Sequence, residues 1–402
     1  MIAPDKSISR AVELVSAVQP LVPTGRLVGL CWLMLIGLAG CGSGHQEPAM
    51  QSVAAAQSTG SISVSTGPVA RLSEMVDAQL LPLEIRDAVR LDDGGIAYAS
   101  GRELVIRIVS GDGDPAIAEV GRGGEGPGEF KALQWLENCG RNELYAWDFV
   151  QSRVTVFGVN GELLRQFNLP MQPITSMYCN LDGTMLALET PREALSPPGS
   201  ELEPLSARAV VIGPTGKVQH EIAGVPMGRN RPLGPVTTGG VISDYLVIAT
   251  AELPNIEFTH LNGESVQVVP LGEERHVATK EVYEAAIEHI VSQATTSVQD
   301  RVREVLQGIP MPEYLPAYRS VATDKQRFVW VAMSQVGEGV SRFIVVDGHP
   351  VEGAAIVGSV EFPFEADLLE VGSDYLLLHT REATGDDVLI YSLAVSRYEP
   401  SP

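Results

Sequence analysis

The chain has 402 residues, 28 basic against 50 acidic side chains for a net charge of −22, and 40 glycines with 27 prolines. That length buries a sizeable core as one large domain or two ordinary ones, and the frequent Gly and Pro favour many short elements over a helical bundle. No basic run occurs, which argues against binding nucleic acid through phosphates or docking electrostatically on an anionic membrane; the acidity has its ordinary meaning, solubility.

At the N-terminus, "RLVGLCWLMLIGLAGC" sets Arg26 before an apolar run that ends at Leu38-Ala39-Gly40-Cys41. The run is too short to span a bilayer as a stable helix and suits a signal-peptide core. Its ending resembles the lipobox of bacterial lipoproteins, in which the cysteine after two small residues takes lipid (palmitate among its chains) and becomes the new N-terminus. An ordinary secretory signal, or a membrane anchor with an incidental cysteine, is the alternative. The segment before Arg26 is long for a signal and carries Asp5 and Glu13, as an upstream-assigned start codon would produce. Residue 42 is Gly rather than Asp, which for a lipoprotein of a two-membrane bacterium implies the outer membrane. The expected plan is a signal over 1–40, a small and polar tether over 41–66, and the folded part over 67–397. Cys31 leaves with the signal and Cys41 is the lipidation candidate, which leaves Cys139 and Cys179. They form one disulfide or stay as two buried thiols; both remain open, and no Cys/His cluster suggests a metal site.

From residue 67 one phrase recurs: an apolar segment, a turn, a strong β-run, a second β-run and another turn of Asp-Gly or Asn-Gly character. Its copies begin at "DAVRLDDGGIAYAS", "ALQWLENCGRNELYAWD", "ITSMYCNLDGTMLALE", "GGVISDYLVIATAE", "YRSVATDKQRFVWVAMS" and "ADLLEVGSDYLLLHTRE". Each is a candidate four-stranded antiparallel meander. Such a sheet cannot bury both faces alone, and radial repetition at a period of roughly 40 to 50 residues is the β-propeller solution. The fold expected is therefore all-β, a six-bladed β-propeller. The last copy ends one strand short, so residues 68–77 are predicted to close the ring beside 387–394, leaving no long sheet edge.

Between the fourth and fifth copies the period of two is lost. Val282, Ala285, Ala286 and Ile290, then Val298, Val302, Val305 and Leu306, recur at helical spacing, up to Gly308-Ile-Pro310. A helical insertion over about 278–308 is expected to lie across one face of the ring, as a lid, a docking surface or packing decoration.

"GRGGEGPGEF" at 121–130 satisfies the letters of a dinucleotide fingerprint, G-x-G-x-x-G, yet Pro127-Gly128 follows where a helix is required. Glu125 and Glu129 would also repel a pyrophosphate. The stretch instead resembles the connector of NHL-like six-bladed propellers, from Gly121, Gly123, Gly124, Glu125, Gly126, Pro127, Gly128 and Glu129 to Phe130. Pro316, Asp324, Trp330 and Val331 are similar to that family's phrase after its insertion. The resemblance implies a binding platform at the channel mouth. It also implies a rival, since some six-bladed relatives are calcium lactonases or zinc lyases. The residues do not favour metal chemistry: the histidines are scattered, and His379 reads as a satisfied sheet residue. Asp148 and Glu189 end corresponding strands and either face a shared mouth or cap turns. "SGDGDP" at 110–115 is too short for a calcium loop and reads as a turn. No nucleophilic triad or elbow is present.

The functional expectation is a non-catalytic envelope lipoprotein, held to the membrane through Cys41, without cofactor, metal or nucleic acid. It would recognise an unidentified protein or small molecule. The alternative is a metal-dependent propeller hydrolase or lyase.

Overall fold

A computed structural model describes residues 60–76, 84–111, 117–140, 142–169, 174–189, 205–227, 232–294, 296–334, 339–348, 353–382 and 385–397. Cys41 lies outside these residues, as do the signal, the first part of the tether and the last four residues of "SGDGDP".

Six antiparallel sheets form, five of them with neighbours in chain order and the sixth completed by an N-terminal strand. Blade 1 has strands Ile85–Arg90, Ile96–Ser100, Val105–Val109 and Ile117–Val120. Blade 2 has Leu133–Asn138, Glu143–Asp148, Arg153–Gly158 and Leu163–Asn168. Blade 3 has Ile174–Cys179, Met185–Glu189, Leu205–Ile212 and Val218–Met227. Blade 4 has Thr238–Ile242, Tyr245–Ala249, Asn255–His260 and Ser265–Pro270. Blade 5 has Tyr318–Thr323, Phe328–Met333, Ser341–Asp347 and Ala355–Phe362, and blade 6 has Asp367–Val371, Tyr375–Glu382 and Gly385–Arg397. The first strands of successive blades touch, and blade 6 returns to blade 1. They are therefore the inner ring of a six-bladed propeller.

Strand alternation supplies the core. In blade 6, Leu376 and Leu378 enter the layer shared with blade 5, whereas Leu377 enters the layer shared with blade 1. Such period-two partition gives each sheet two apolar faces, and a blade is stable only between two neighbours. Six interblade layers result.

Ring closure differs from expectation. The outer strand of blade 6 is Gly60–Val64, paired with Leu393–Arg397, inside the stretch assigned to the tether. Among the described residues 68–76, Ala70–Arg71 pair with Leu389 and Ile390 farther along the same strand, before a helical turn α1 (Leu72–Met75). Gly67-Pro68 breaks the edge into two pieces, because proline has no N–H for the ladder. Ile62 and Val64 alternate with serines and pack against the layer between blades 5 and 6.

The insertion forms α2 (Lys280–Gln293) and α3 (Gln299–Gln307) between blades 4 and 5, or between the fifth and sixth if the sheet holding the N-terminal strand is counted first. Thr279 caps α2, its Oγ1 accepting from the Val282 N–H at 3.4 Å. The hairpin buries its own core, including Tyr283, Ile287, Val302 and Leu306, and adds Leu233 from the connector between blades 3 and 4. Tyr283 Oη donates to the Ile309 carbonyl at 2.8 Å and locks the exit.

Candidate functional site: the two mouths of the channel

A propeller channel has two ends. At one lie the turns between first and second strands; at the other lie the interblade connectors and the insertion. Strand order alone fixes which residues reach which end.

The turn end is tied shut. Lys325 sits in the blade 5 turn with φ 64° and a side chain only 6 % exposed. It crosses to blade 2, the opposite blade of the ring, where Nζ meets Glu137 Oε1 at 2.9 Å and the Asn138 carbonyl at 2.6 Å. Glu137 Oε2 in turn accepts the Cys179 N–H of blade 3 at 3.1 Å. Cys139 and Cys179 are joined by a disulfide with Cα atoms 5.6 Å apart, which links the inner strands of blades 2 and 3 at the same place. The Ser243 N–H of blade 4 donates to the Lys325 carbonyl at 3.1 Å.

Two further carboxylates complete this hub. Asp87 Oδ2 accepts the Leu136 N–H at 3.0 Å, from blade 1 to blade 2, and Glu370 Oε2 accepts the Arg90 N–H at 2.7 Å, from blade 6 to blade 1. Burial pushes the Asp87 carboxyl well above the usual range, the Glu137 and Glu370 charges add to this, and the Leu136 and Ala88 N–H groups oppose it. Burial also raises Glu370, against the pull of Lys325 and the Arg90 N–H. The acids serve backbone N–H groups left over at the inner edges of the blades, the groups that would otherwise be orphaned.

At the connector end the candidates separate. Asp148 is fully buried; Oδ2 accepts from Lys131 N at 2.5 Å and Gln151 Nε2 at 2.9 Å, so it caps and clamps the start of blade 2. Glu189 pairs with its cross-strand neighbour Arg208 at 2.6 Å. Both stand at the connector end, each held by partners of its own. The glycine stretch is a seam: Gly121 and Gly128 have φ of 84° and 72°, and Phe130 is fully buried between blades 1 and 2. Glu129 Oε2 accepts the Gly126 N–H at 2.7 Å, so an acid that would repel phosphate instead holds the loop.

His379 belongs to a charged cluster that the sequence reading missed. It is 3 % exposed, with Nδ1 3.9 Å from Asp367 Oδ2 and Nε2 3.4 Å from Asp386 Oδ2. Asp367, the first residue of the blade 6 inner strand, also lies 3.2 Å from Arg381 Nη1 and 3.8 Å from Arg319 Nη1 of blade 5. Asp386 Oδ2 accepts the Ile85 N–H of blade 1 at 2.8 Å. Burial would raise Asp386, but His379, that N–H and Arg381 together hold it below the usual carboxylate range. Burial lowers His289 of α2 and the charge of Arg381 lowers it further, so the hairpin lies within electrostatic reach of this cluster. The available signal was "HTR", whose first and third residues share a strand face.

Among the described residues no three or more His, Cys, Asp or Glu converge as a metal-holding group. No helix among them is long and apolar enough to cross a membrane. A cleft of about 550 Å³ opens between blades 1 and 2 on the turn side, lined by Leu91 and Ile108 and by the polar Asp92, Asp93, Ser110 and Asn142 among others.

No protein-family model matches the chain, and no curated protein matches it in sequence. Solved structures do resemble it. An exported protein of Bacteroides fragilis shares 12 % identity with a TM-score of 0.46 over 84 % of this chain and 96 % of its own. A DUF4221-family protein of Bacteroides vulgatus shares 12 % with a TM-score of 0.48 over 84 % and 99 %. A virginiamycin B lyase of Staphylococcus aureus shares 13 % with a TM-score of 0.41 over 78 % and 80 %. At these similarities none carries an argument about function; the propeller assignment stands on the six sheets of the chain itself.

Proposed function

We propose that the chain is a non-catalytic, lipid-anchored envelope protein that binds a small molecule or protein segment at the connector mouth. One observation carries this reading. The turn mouth is closed by Lys325 and its partners across the ring, whereas the connector mouth presents partly exposed charged side chains beside a helical hairpin. Binding sites sit where a rigid scaffold presents loops and convergent polar groups. Anchoring rests on Leu38-Ala39-Gly40-Cys41 alone.

Hydrogen exchange of the full chain, with and without a cell-envelope extract, tests the mouth. Protection is expected at 84–90, 280–293 and 366–382; protection confined elsewhere, or none, sinks the reading. The rival is a metal-dependent hydrolase or lyase, for which His379 at the mouth is the one favourable feature. The donor set fits poorly, since both imidazole nitrogens face carboxylates that are themselves committed to Arg381 and to the Ile85 N–H. Stoichiometric calcium or zinc in the purified full chain would reverse the preference.

A further inference from the structure

Resting on that reading, we propose that the connector mouth recognises a carboxylate-bearing ligand, held between the guanidinium groups of Arg319 and Arg381. Arg319 is the extra residue of a β-bulge between Tyr318 and Ser320 in the blade 5 inner strand, and a bulge re-aims the side chain it carries. Its guanidinium, 23 % exposed, makes little of its five donors. Nη2 reaches the Ala366 carbonyl at 3.4 Å, Nη1 stands 3.8 Å from Asp367, and Nε is buried without a partner. Arg381, 51 % exposed, meets Asp367 through Nη1 at 3.2 Å.

The local charge differs from that of the whole molecule. The nearby acids Asp386 and Glu84 are engaged, by the Ile85 N–H and by Arg86 respectively. Asp387 accepts from Ser73 on the outer side. Asp386 keeps its charge, so Arg319 and Arg381 are balanced by Asp367 and Asp386; what this mouth holds in excess is guanidinium N–H donors without good acceptors, chiefly on Arg319. Buried polar atoms without partners occur at the connector end of blade 5, Arg319 Nε and Ser334 Oγ. Ser334 is more than nine-tenths buried. Arginine forks match a planar carboxylate, and donors of this kind point to an acceptor-rich ligand. Asp367 occupies part of that place from inside, so it competes with the ligand.

Calorimetric titration of the full chain at low salt with succinate, and with uncharged succinamide, tests the assignment. Succinate is expected to bind and succinamide not. Arg319→Gln and Arg381→Gln should each weaken succinate by about tenfold, the scale of losing one charged hydrogen-bond partner. Arg319→Lys should recover part of the loss, and Asp367→Asn should tighten binding. Arg303→Gln, on the outer face of the hairpin against Glu288, removes the same charge elsewhere and should change nothing. An unfolding midpoint for each variant separates lost binding from lost fold. Failure of succinate to bind, binding unaffected by the Arg319 and Arg381 variants, or equal weakening by Arg303→Gln overturns the assignment. If envelope extract still protects the mouth in the Arg319→Gln/Arg381→Gln double variant, the carboxylate falls and the binding platform stands.

Discussion

Lys325 shows how one residue ties opposite blades together at the turn end of the channel. A lysine almost never lies so deep unless paired, and here its ammonium is pinned to Glu137 and the Asn138 carbonyl across the channel. Lys325→Met should destabilise the fold by about 3–5 kcal/mol, because Glu137 loses its counter-charge, and adding Glu137→Gln should recover part of it. Denaturant midpoints of the single and double variants check this. Asp87 gives the opposite sign. Its folded carboxyl binds a proton more tightly than the unfolded one, so its contribution is complete below the ordinary carboxylate range and is lost as pH rises through the raised value. Asp87→Asn keeps an acceptor for the Leu136 N–H without the buried charge. The variant should gain on the natural chain as pH rises from 5 to 8, and equal midpoints across that range would count against the raised carboxyl. At the seam, Gly121 has φ 84°, and a Cβ there would lie 2.5 Å from the Phe130 ring. Gly121→Ala is therefore strained twice, and Phe130→Ala should cost about 3–5 kcal/mol by emptying the layer between blades 1 and 2.

At the level of elements, the inner strands carry the least legible information. Five of the six slip register near the connector end, at Ile85/Asp87, Leu133/Trp135, Ile174/Ser176, Tyr318/Ser320 and Leu368/Glu370. Blade 4 instead has Gly239-Gly240, where a Cβ would meet the Val247 carbonyl at 2.6 Å and Thr323 at 2.5 Å. A bulge has no composition signal beyond an interrupted alternation, so Arg319 was invisible as a mouth residue. The disulfide was equally undecided, since only the turn after the blade 2 inner strand brings Cys139 to Cys179. It closes a separation of 40 residues, and Cys139→Ser/Cys179→Ser should cost about 4 kcal/mol if the constraint acts on the unfolded chain. The closing strand lies at 60–64, before the expected 68–77, of which Ala70–Arg71 pair with the last strand. "SISV" alternates as clearly as any outer strand, but its small polar context reads as tether. Deleting 60–64 should lower the unfolding temperature and expose the Gly385–Arg397 edge, read by calorimetry and by aggregation.

On the scale of the whole molecule, the ring is a closed circuit of six apolar layers, so damage to the closing strand is felt all round it. The chain carries a net charge of −22, whereas at the connector mouth Arg319 and Arg381 are balanced by Asp367 and Asp386, so an anionic ligand meets less repulsion there than the net charge would impose. Membrane attachment is tested at one residue outside the described region: Cys41→Ser should move the processed chain into the soluble fraction. Retention in the membrane with the signal removed would mean that something other than lipid holds it.

Much was written in linear order. Repeat period, strand-and-turn phrasing, a seam in place of a nucleotide loop, and a helical insertion all follow from local pattern, because alternation and turn chemistry act over a few residues. The channel ends did not follow. Lys325 and Glu137 are 188 positions apart, and Arg319 and Arg381 stand on different blades, so only closing the ring brings them together. Which side chains converge at a mouth is a property of the circle, not of any one blade, and the proposed binding site inherits that dependence.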